Sequence, residues 1–449
     1  MSGPRVTIVG GGLAGISAAL SCADAGAEAT LVEVRPRLGG AAYSFERDGM
    51  LLDNGQHVFL RCCTAYRALL RRLGTEAATT LQPRLRIPVI APGGRVEWLR
   101  RSSLPAPLHL AGALARYGHL SVRQRAGAAR AALRLSRLDP ADEALDARTF
   151  GAWLGEQRQP PRAIDALWNL IALPTLNLPA EEASLALAAF VFQTGLLRDS
   201  AAGDVGYARL PLSQVHGEPS ERALREAGVA VRLGWRAEAV EKGTGSFAVS
   251  GAQETLECDA VVVALPHTRA AGLLPEGALD DPSLLQRLGS SPIVNLHVVY
   301  ERRVTDFELA AGVRTPIQWM FDRTRASGLA DGQHLAISLS GARDEAAMSV
   351  DALRERYLAA LRGLLPRARE ARVERLEVVR EHAGTFRSAP GVGSLRPGQR
   401  TGIDGLAIAG AWTATGWPAT MEGAVRSGIA AAREALSVSR KAPVAEGVA

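Results

Sequence analysis

In LLDNGQHVFL, residues 51–60, four polar side chains interrupt two apolar runs: Asp53, Asn54, Gln56 and His57. His57 is the first candidate for proton transfer, because an imidazole titrates near neutrality. The same residues admit a structural reading in which Asp53 caps a turn and His57 bonds backbone. A second acid, Glu422 in TMEGAVRSG, competes for the proton-donor role or caps the N-terminus of its own helix, where a carboxylate is electrostatically welcome. Trp319, Trp412 and Trp417 offer ring faces to a passing cation, or serve as packing. The other histidines (His109, His119, His216, His267, His297, His334, His382) share no metal-ligand spacing. Cys22, Cys62, Cys63 and Cys258 form no CxxC or Cys/His pattern, so neither a metal site nor a disulfide framework is expected.

The elements that must carry these residues begin at the N-terminus. Val6 to Val9 form a short apolar run bounded by glycines, the mark of a buried strand. Gly10, Gly12 and Gly15 follow in G-x-G-x-x-G spacing, then an alanine-rich helix opened by Leu13 and Ala14, a second strand at Ala29 to Val32, and Glu33. This is a βαβ dinucleotide-binding unit. Gly10 permits the tight turn, Gly12 admits a pyrophosphate, and Gly15 lets helix and strand pack closely. The helix N-terminus offers free N–H groups to the phosphates and Glu33 can accept from a ribose.

At 449 residues the chain exceeds one ordinary core, and 47% hydrophobic with 22% charged residues is usual for a folded globular protein. No run of 18 uncharged apolar residues marks a membrane span, and MSGPRVTIVGGG lacks a signal-peptide layout, so a cytoplasmic protein is expected. The net charge of +6 is unevenly spread. Between Trp98 and Leu138 there are eight arginines and no acid, interleaved with leucines. That composition suits a peripheral surface facing anionic lipid, or a solvated helix face. Nothing in the sequence carries a nucleic-acid-binding signature.

After Glu33, VRPRLGGAA sets a second glycine pair, Gly39 and Gly40, behind Arg35 and Arg37. This extension resembles flavoproteins of the amine oxidase and phytoene desaturase superfamily, and the resemblance implies FAD. In that pattern an arginine follows the doublet. Here Ala41 stands there, leaving Arg35 or Arg37 to supply the charge. The resemblance also places a flavin-contacting strand at Ala239 and Val240, a return strand at Ala260 to Leu265, and a last strand at Leu406 to Ala409. It implies that Asn54 and Gly55 lie beside the flavin ring, and that Gly410, Ala411, Thr420 and Met421 bring backbone to the cofactor. The superfamily's acid after AG is replaced by Ala411. The flavin-proximal lysine of amine oxidases has no counterpart, since only Lys242 and Lys441 occur.

These returns imply an α/β fold with a Rossmann-like FAD-binding domain (1–81, 206–285 and 386–437) interleaved with an α+β substrate domain (82–205 and 286–385). Residues 438–449 are expected to form a disordered tail. The strings LLDNGQHVFL, LWNLIALPTLNLP, PIQWMFDR and GAWTATGWPATMEGAVRSG, spread over nearly the whole chain, resemble the hydroxysqualene dehydroxylase family of bacterial hopanoid pathways. That likeness implies a reaction: hydroxysqualene and reduced flavin give squalene, water and oxidised flavin. His57, Glu422 and Asp53 are then the catalytic candidates. The expected partners are a long isoprenoid, an anionic membrane surface and an external electron donor. A carotenoid-type desaturase is the rival enzyme, and a flavin-holding scaffold for a squalene-making partner is the non-enzymatic alternative.

Overall fold

The computed structural model describes residues 3–437; the expected tail at 438–449 lies outside the described residues. Five parallel strands form one sheet in the order Ala230–Leu233, Glu28–Glu33, Arg5–Val9, Ala260–Val263, Leu406–Ile408. The central runs VTIV and AVVV are apolar at nearly every position because this sheet is covered on both faces. One face carries the helices Leu13–Asp24 and Met421–Leu436. They pack so closely that a Cβ on Gly428 would stand 2.0 Å from the carbonyl oxygen of Ala14. On the other face lies an antiparallel sheet, Ala237–Lys242, Phe247–Gly251 and Thr255–Cys258, whose Val240, Phe247 and Val249 meet Val9, Val32 and Val261.

A seven-stranded mixed sheet stands beside this layer, in the order Val373–Thr385, Ser291–Tyr300, Gln333–Ser340, Trp319–Asp322, Leu309–Gly312, Arg86–Ala91, Arg95–Arg100. Two distant stretches of chain share it. They join where Leu309–Gly312 runs parallel to Arg86–Ala91, with Ala311 opposite Val89. The strand period of two divides SPIVNLHVVY into two faces. Val294, Leu296, Val298 and Tyr300 are buried with Leu353, Tyr357 and Leu361 of the helix Val350–Leu364. The alternate residues, Asn295 and His297, face the other way, toward the end of the hairpin Ser44–Arg47 and Met50–Asp53.

Helices between 111 and 197 complete the second layer around Phe150, Trp153, Trp168 and Phe192. The apolar strings expected to be helical are so, as Asn169–Leu176 and Leu185–Phe192, each adjoining one wider turn, Ile164–Trp168 and Gln193–Leu197. The strand Val205–Ala208 pairs with both Val58–Leu60 and Thr79–Leu81 and so clamps the segment that follows His57.

Candidate active site

The first glycine loop explains itself at two of its three glycines. A Cβ on Gly15 would meet the carbonyl oxygen of Gly10 at 1.8 Å, and Gly10 has φ +112°. Gly12 is different. Its backbone, φ −77° and ψ 176°, suits any residue, and a Cβ there would find only the Cα of Gly40, at 3.8 Å. Nothing in the protein demands glycine at 12, whereas a pyrophosphate approaching the backbone would. The helix behind it has no side-chain cap and no acid in its first turn, so its N–H groups are free for an anion. Gly40, with φ +58°, abuts Gly12, and the Gly39 N–H donates to the Gly11 carbonyl at 2.9 Å, so the second glycine pair closes on the first. Glu33 is buried and accepts from the N–H groups of Gly11 (2.6 Å) and Arg35 (2.8 Å). These residues fit FAD.

Of the two arginines, Arg37 is the one brought inward. Its guanidinium lies 3.7 Å from the centre of the Tyr43 ring and reaches the Gly40 carbonyl, while Arg35 stays exposed at 5.7 Å from that ring. Burial and the like charge of Arg35 both push the Arg37 pKa down. Val240 points into the core, and its strand forms the sheet edge, so its outer backbone edge pairs with no other strand among the described residues.

At the C-terminal return, Gly410 has φ +151° and a Cβ there would strike the Trp412 indole at 2.3 Å; its N–H donates to Ser427 Oγ. The Trp412 indole N–H donates to the Leu265 carbonyl, which makes this tryptophan a packing and tethering group. Thr420 caps the final helix by accepting from the Gly423 N–H, with Met421 as the first helical residue. Arg396, which the sequence reading missed, holds this loop. Its guanidinium donates to the carbonyls of Ala411, Trp412, Thr413 and Trp417, and burial lowers its pKa to about 10. Ala411 is thus fixed through its carbonyl, with no acid at that position.

Two candidate acids are committed elsewhere. Glu422 is buried and accepts from the N–H groups of Ala65 (3.1 Å) and Tyr66 (2.7 Å), and Arg426 Nε donates to it at 2.7 Å. It caps the neighbouring helix Thr64–Arg72, neither its own helix nor a substrate. Asp53 forms a buried ion pair with Arg323 at 2.7 Å and accepts from Ser44 Oγ and the Leu212 N–H. With both oxygens engaged and a guanidinium attached, Asp53 is a structural anion rather than a proton donor.

His57 keeps a free nitrogen. Its Nδ1 lies 3.1 Å from the Gly55 carbonyl and therefore carries the hydrogen, which leaves Nε2 without a hydrogen bond among the described residues. The ring lines a cleft of about 620 Å³ together with Gln56, Tyr207, Leu212, Phe321 and Arg323. Burial lowers the His57 pKa, opposed by the Gly55 carbonyl and the charges of Asp53 and Glu381. The large sheet grips the loop beneath it. Asn295 Nδ2 donates to the Asn54 carbonyl at 3.0 Å, His297 Nε2 to the Asp53 carbonyl at 3.0 Å, and Glu381 accepts from Asn54 Nδ2 at 3.0 Å. Asn54 is fully used in the same way, accepting from the Tyr43 N–H and donating to the Ala41 carbonyl. Gly55 lies against His57 and Asn295. Behind His297, His334 Nε2 donates to His297 Nδ1 at 3.0 Å, and burial holds His297 down near 4. Asn295, His297, Arg323, Glu381 and Arg396 were not singled out from sequence. Polar residues at alternate positions of an otherwise apolar strand signalled the first two; nothing local signalled the rest. Trp319 stacks on Phe321, and Trp417 lies edge-on to Phe190 with Arg426 over its face.

The family described as flavin containing amine oxidoreductase matches residues 13–436. The chain belongs to that family. It is an FAD-dependent oxidoreductase. A hydroxysqualene dehydroxylase of Rhodopseudomonas palustris is 29% identical over 445 residues, covering 97% of this chain and 99% of its own. A probable zeta-carotene desaturase of Synechococcus elongatus is 25% identical over 483 residues, covering 96% and 98%. The solved cyclohexylamine oxidase of Brevibacterium oxydans shares the fold of this flavin oxidoreductase with a TM-score of 0.71 at 20% identity, covering 98% of this chain and all of its own.

Proposed function

We propose that this flavoprotein reductively removes the hydroxyl of hydroxysqualene to give squalene, a step of hopanoid or triterpenoid biosynthesis. The observation that carries the reading is the end-to-end similarity to a hydroxysqualene dehydroxylase, which exceeds the similarity to the desaturase named above. The site supports it with a proton donor suited to the chemistry. Hydroxide is a poor leaving group, so the allylic C–O bond needs protonation as it breaks. His57 lines the cleft, and its Nε2 has no competing partner among the described residues. The proton passes from Nε2 to the hydroxyl oxygen, which leaves as water with the C–O electron pair. Bound FAD, when reduced, supplies the hydride that replaces the hydroxyl. The grip of Asn295, His297 and Glu381 on the loop fixes where that proton is delivered.

The apolar, arginine-rich surface between residues 98 and 138 supports an anionic bilayer as the substrate's source. No helix among the described residues is long and apolar enough to cross a membrane. An external donor must reduce the flavin.

Anaerobic incubation of the photoreduced protein with hydroxysqualene tests the reading. Squalene formation in step with flavin reoxidation is expected. Should the oxidised protein instead abstract hydride from a carotenoid precursor, with no squalene from the reduced form, the desaturase reading replaces it.

A further inference from the structure

Glu381 is a carboxylate in an unusual position. It projects from the strand Val373–Thr385, opposite Ile293, and crosses to the loop that carries His57. Its Oε1 accepts from Asn54 Nδ2 at 3.0 Å and from the Tyr43 hydroxyl at 3.4 Å, both neutral donors. Oε2 accepts nothing among the described residues. Among the buried acids, Asp53 is matched by Arg323, Asp204 by Arg61 and Arg101, and Glu422 by Arg426, while Glu33 is held by the backbone N–H groups of Gly11 and Arg35. Glu381 takes part in no ion pair among the described residues. Arg37, the nearby cation, is stacked on the Tyr43 ring and forms no ion pair with Glu381.

A structural link to Asn54 needs only a carbonyl oxygen, which glutamine would supply without a charge. A half-buried anion left unmatched beside a reaction loop is costly unless positive charge arises there. The dehydroxylation proposed above, on which this inference rests, creates such a charge. An imidazolium at His57 and a neutral allylic alcohol become a neutral imidazole, water and an allylic cation. One positive charge is conserved throughout, and it moves from the ring to carbon. We infer that Glu381 is the anion that stabilises this moving charge, first on His57 and then on the substrate carbon. An anion fixed in place before reaction stabilises developing positive charge without reorganisation.

The test uses the oxidised FAD-loaded protein and two probes read by perturbation of the flavin spectrum. One is an amine analogue of the substrate with a protonated nitrogen at the position of the carbinol carbon. The other is squalene, its neutral counterpart. Wild type is expected to favour the ammonium probe at least tenfold. Glu381→Gln should keep FAD and squalene affinity but lose that preference, while squalene formation by the reduced protein slows by roughly a hundredfold with little change in KM. Glu381→Asp, which keeps the charge, should retain most of the preference. The inference is overturned if wild type shows no ammonium preference, if Glu381→Gln keeps it, or if Glu381→Asp loses it as fully as Gln does. If the preference depends on Glu381 but wild type makes no squalene, the dehydroxylation reading fails while Glu381 stands as a cation-binding residue.

Discussion

His57 can act as an acid only while it holds its proton, and its surroundings pull in opposite directions. Burial, and to a smaller extent the charge of Arg323, lower its pKa; the Gly55 carbonyl and the charges of Asp53 and Glu381 raise it, and the net direction is down. Activity carried by protonated His57 should therefore fall as pH rises, with a midpoint below the ordinary histidine value of about 6.5. A pH profile of kcat/KM checks this, and His57→Ala should cost about a hundredfold or more with FAD retained. A near-normal rate in that variant would remove His57 from the role. Glu422→Gln should behave in the opposite way. It weakens the cap on Thr64–Arg72 and the ion pair with Arg426, so thermal stability should drop by about 1–3 kcal/mol while single-turnover flavin reoxidation stays near wild type. At Gly12 the protein itself leaves room for a side chain, so Gly12→Val should fold but lose flavin, seen as a missing visible absorbance beside a normal circular dichroism spectrum. Gly12 and His57 could be singled out in sequence because a glycine spacing and a titratable ring are local signals. Asp53 and Glu422 were misread because what occupies them is remote: Arg323 lies 270 positions from Asp53, and the N–H groups of Ala65 and Tyr66 lie 357 and 356 positions from Glu422.

Helices and strands were read correctly where a single periodicity ruled them. The βαβ unit shows a buried strand, a glycine loop and a small-residue helix in succession, and all three form where expected. In the last helix the small residue Gly428 serves the neighbouring helix. There a Cβ would stand 2.0 Å from the Ala14 carbonyl oxygen. Gly428→Ala must part the two helices and shift the N-terminus of Leu13–Asp24, which we propose meets the pyrophosphate of FAD. A loss of about 1–3 kcal/mol is expected, with a lower Tm and weaker FAD retention, since overpacking at a rigid contact has that cost. An unchanged Tm would mean that the helices separate freely. The face of Ser291–Tyr300 that grips the reaction loop was visible only as two polar residues in an apolar strand. Its partners, Asn54 and Asp53, lie more than 240 positions away, and periodicity cannot name them.

The assembly of the whole molecule was legible in outline because the chain returns to its first sheet with the same kind of apolar strand, at Ala260–Val263 and Leu406–Ile408. The parallel join between Leu309–Gly312 and Arg86–Ala91 was not, since short strands of unlike sequence meet there across more than 200 residues. The same scale governs how an insoluble substrate could reach the cleft. On the helix Val122–Leu135 and its approach, Leu104, Leu108, Val122 and Leu133 are exposed. They stand among arginines that differ in availability. Arg101 is bound to Asp204, Arg125 to the Ala115 carbonyl and Arg134 to Gln157, while the side chains of Arg123, Arg130 and Arg137 hold no hydrogen bond or ion pair among the described residues. Apolar side chains beside free cations suit an anionic bilayer, each charge adding about 1 kcal/mol near such a surface. The triple change of Arg123, Arg130 and Arg137 to Glu should therefore abolish sedimentation with phosphatidylglycerol vesicles at moderate salt. Changing Leu104, Leu108, Val122 and Leu133 to Ser should weaken it while leaving the salt dependence in place. Turnover of detergent-dispersed substrate should stay near wild type in both, because neither set touches the cleft. Equal vesicle partition by wild type and the Glu variant would make this surface an ordinary solvated helix face.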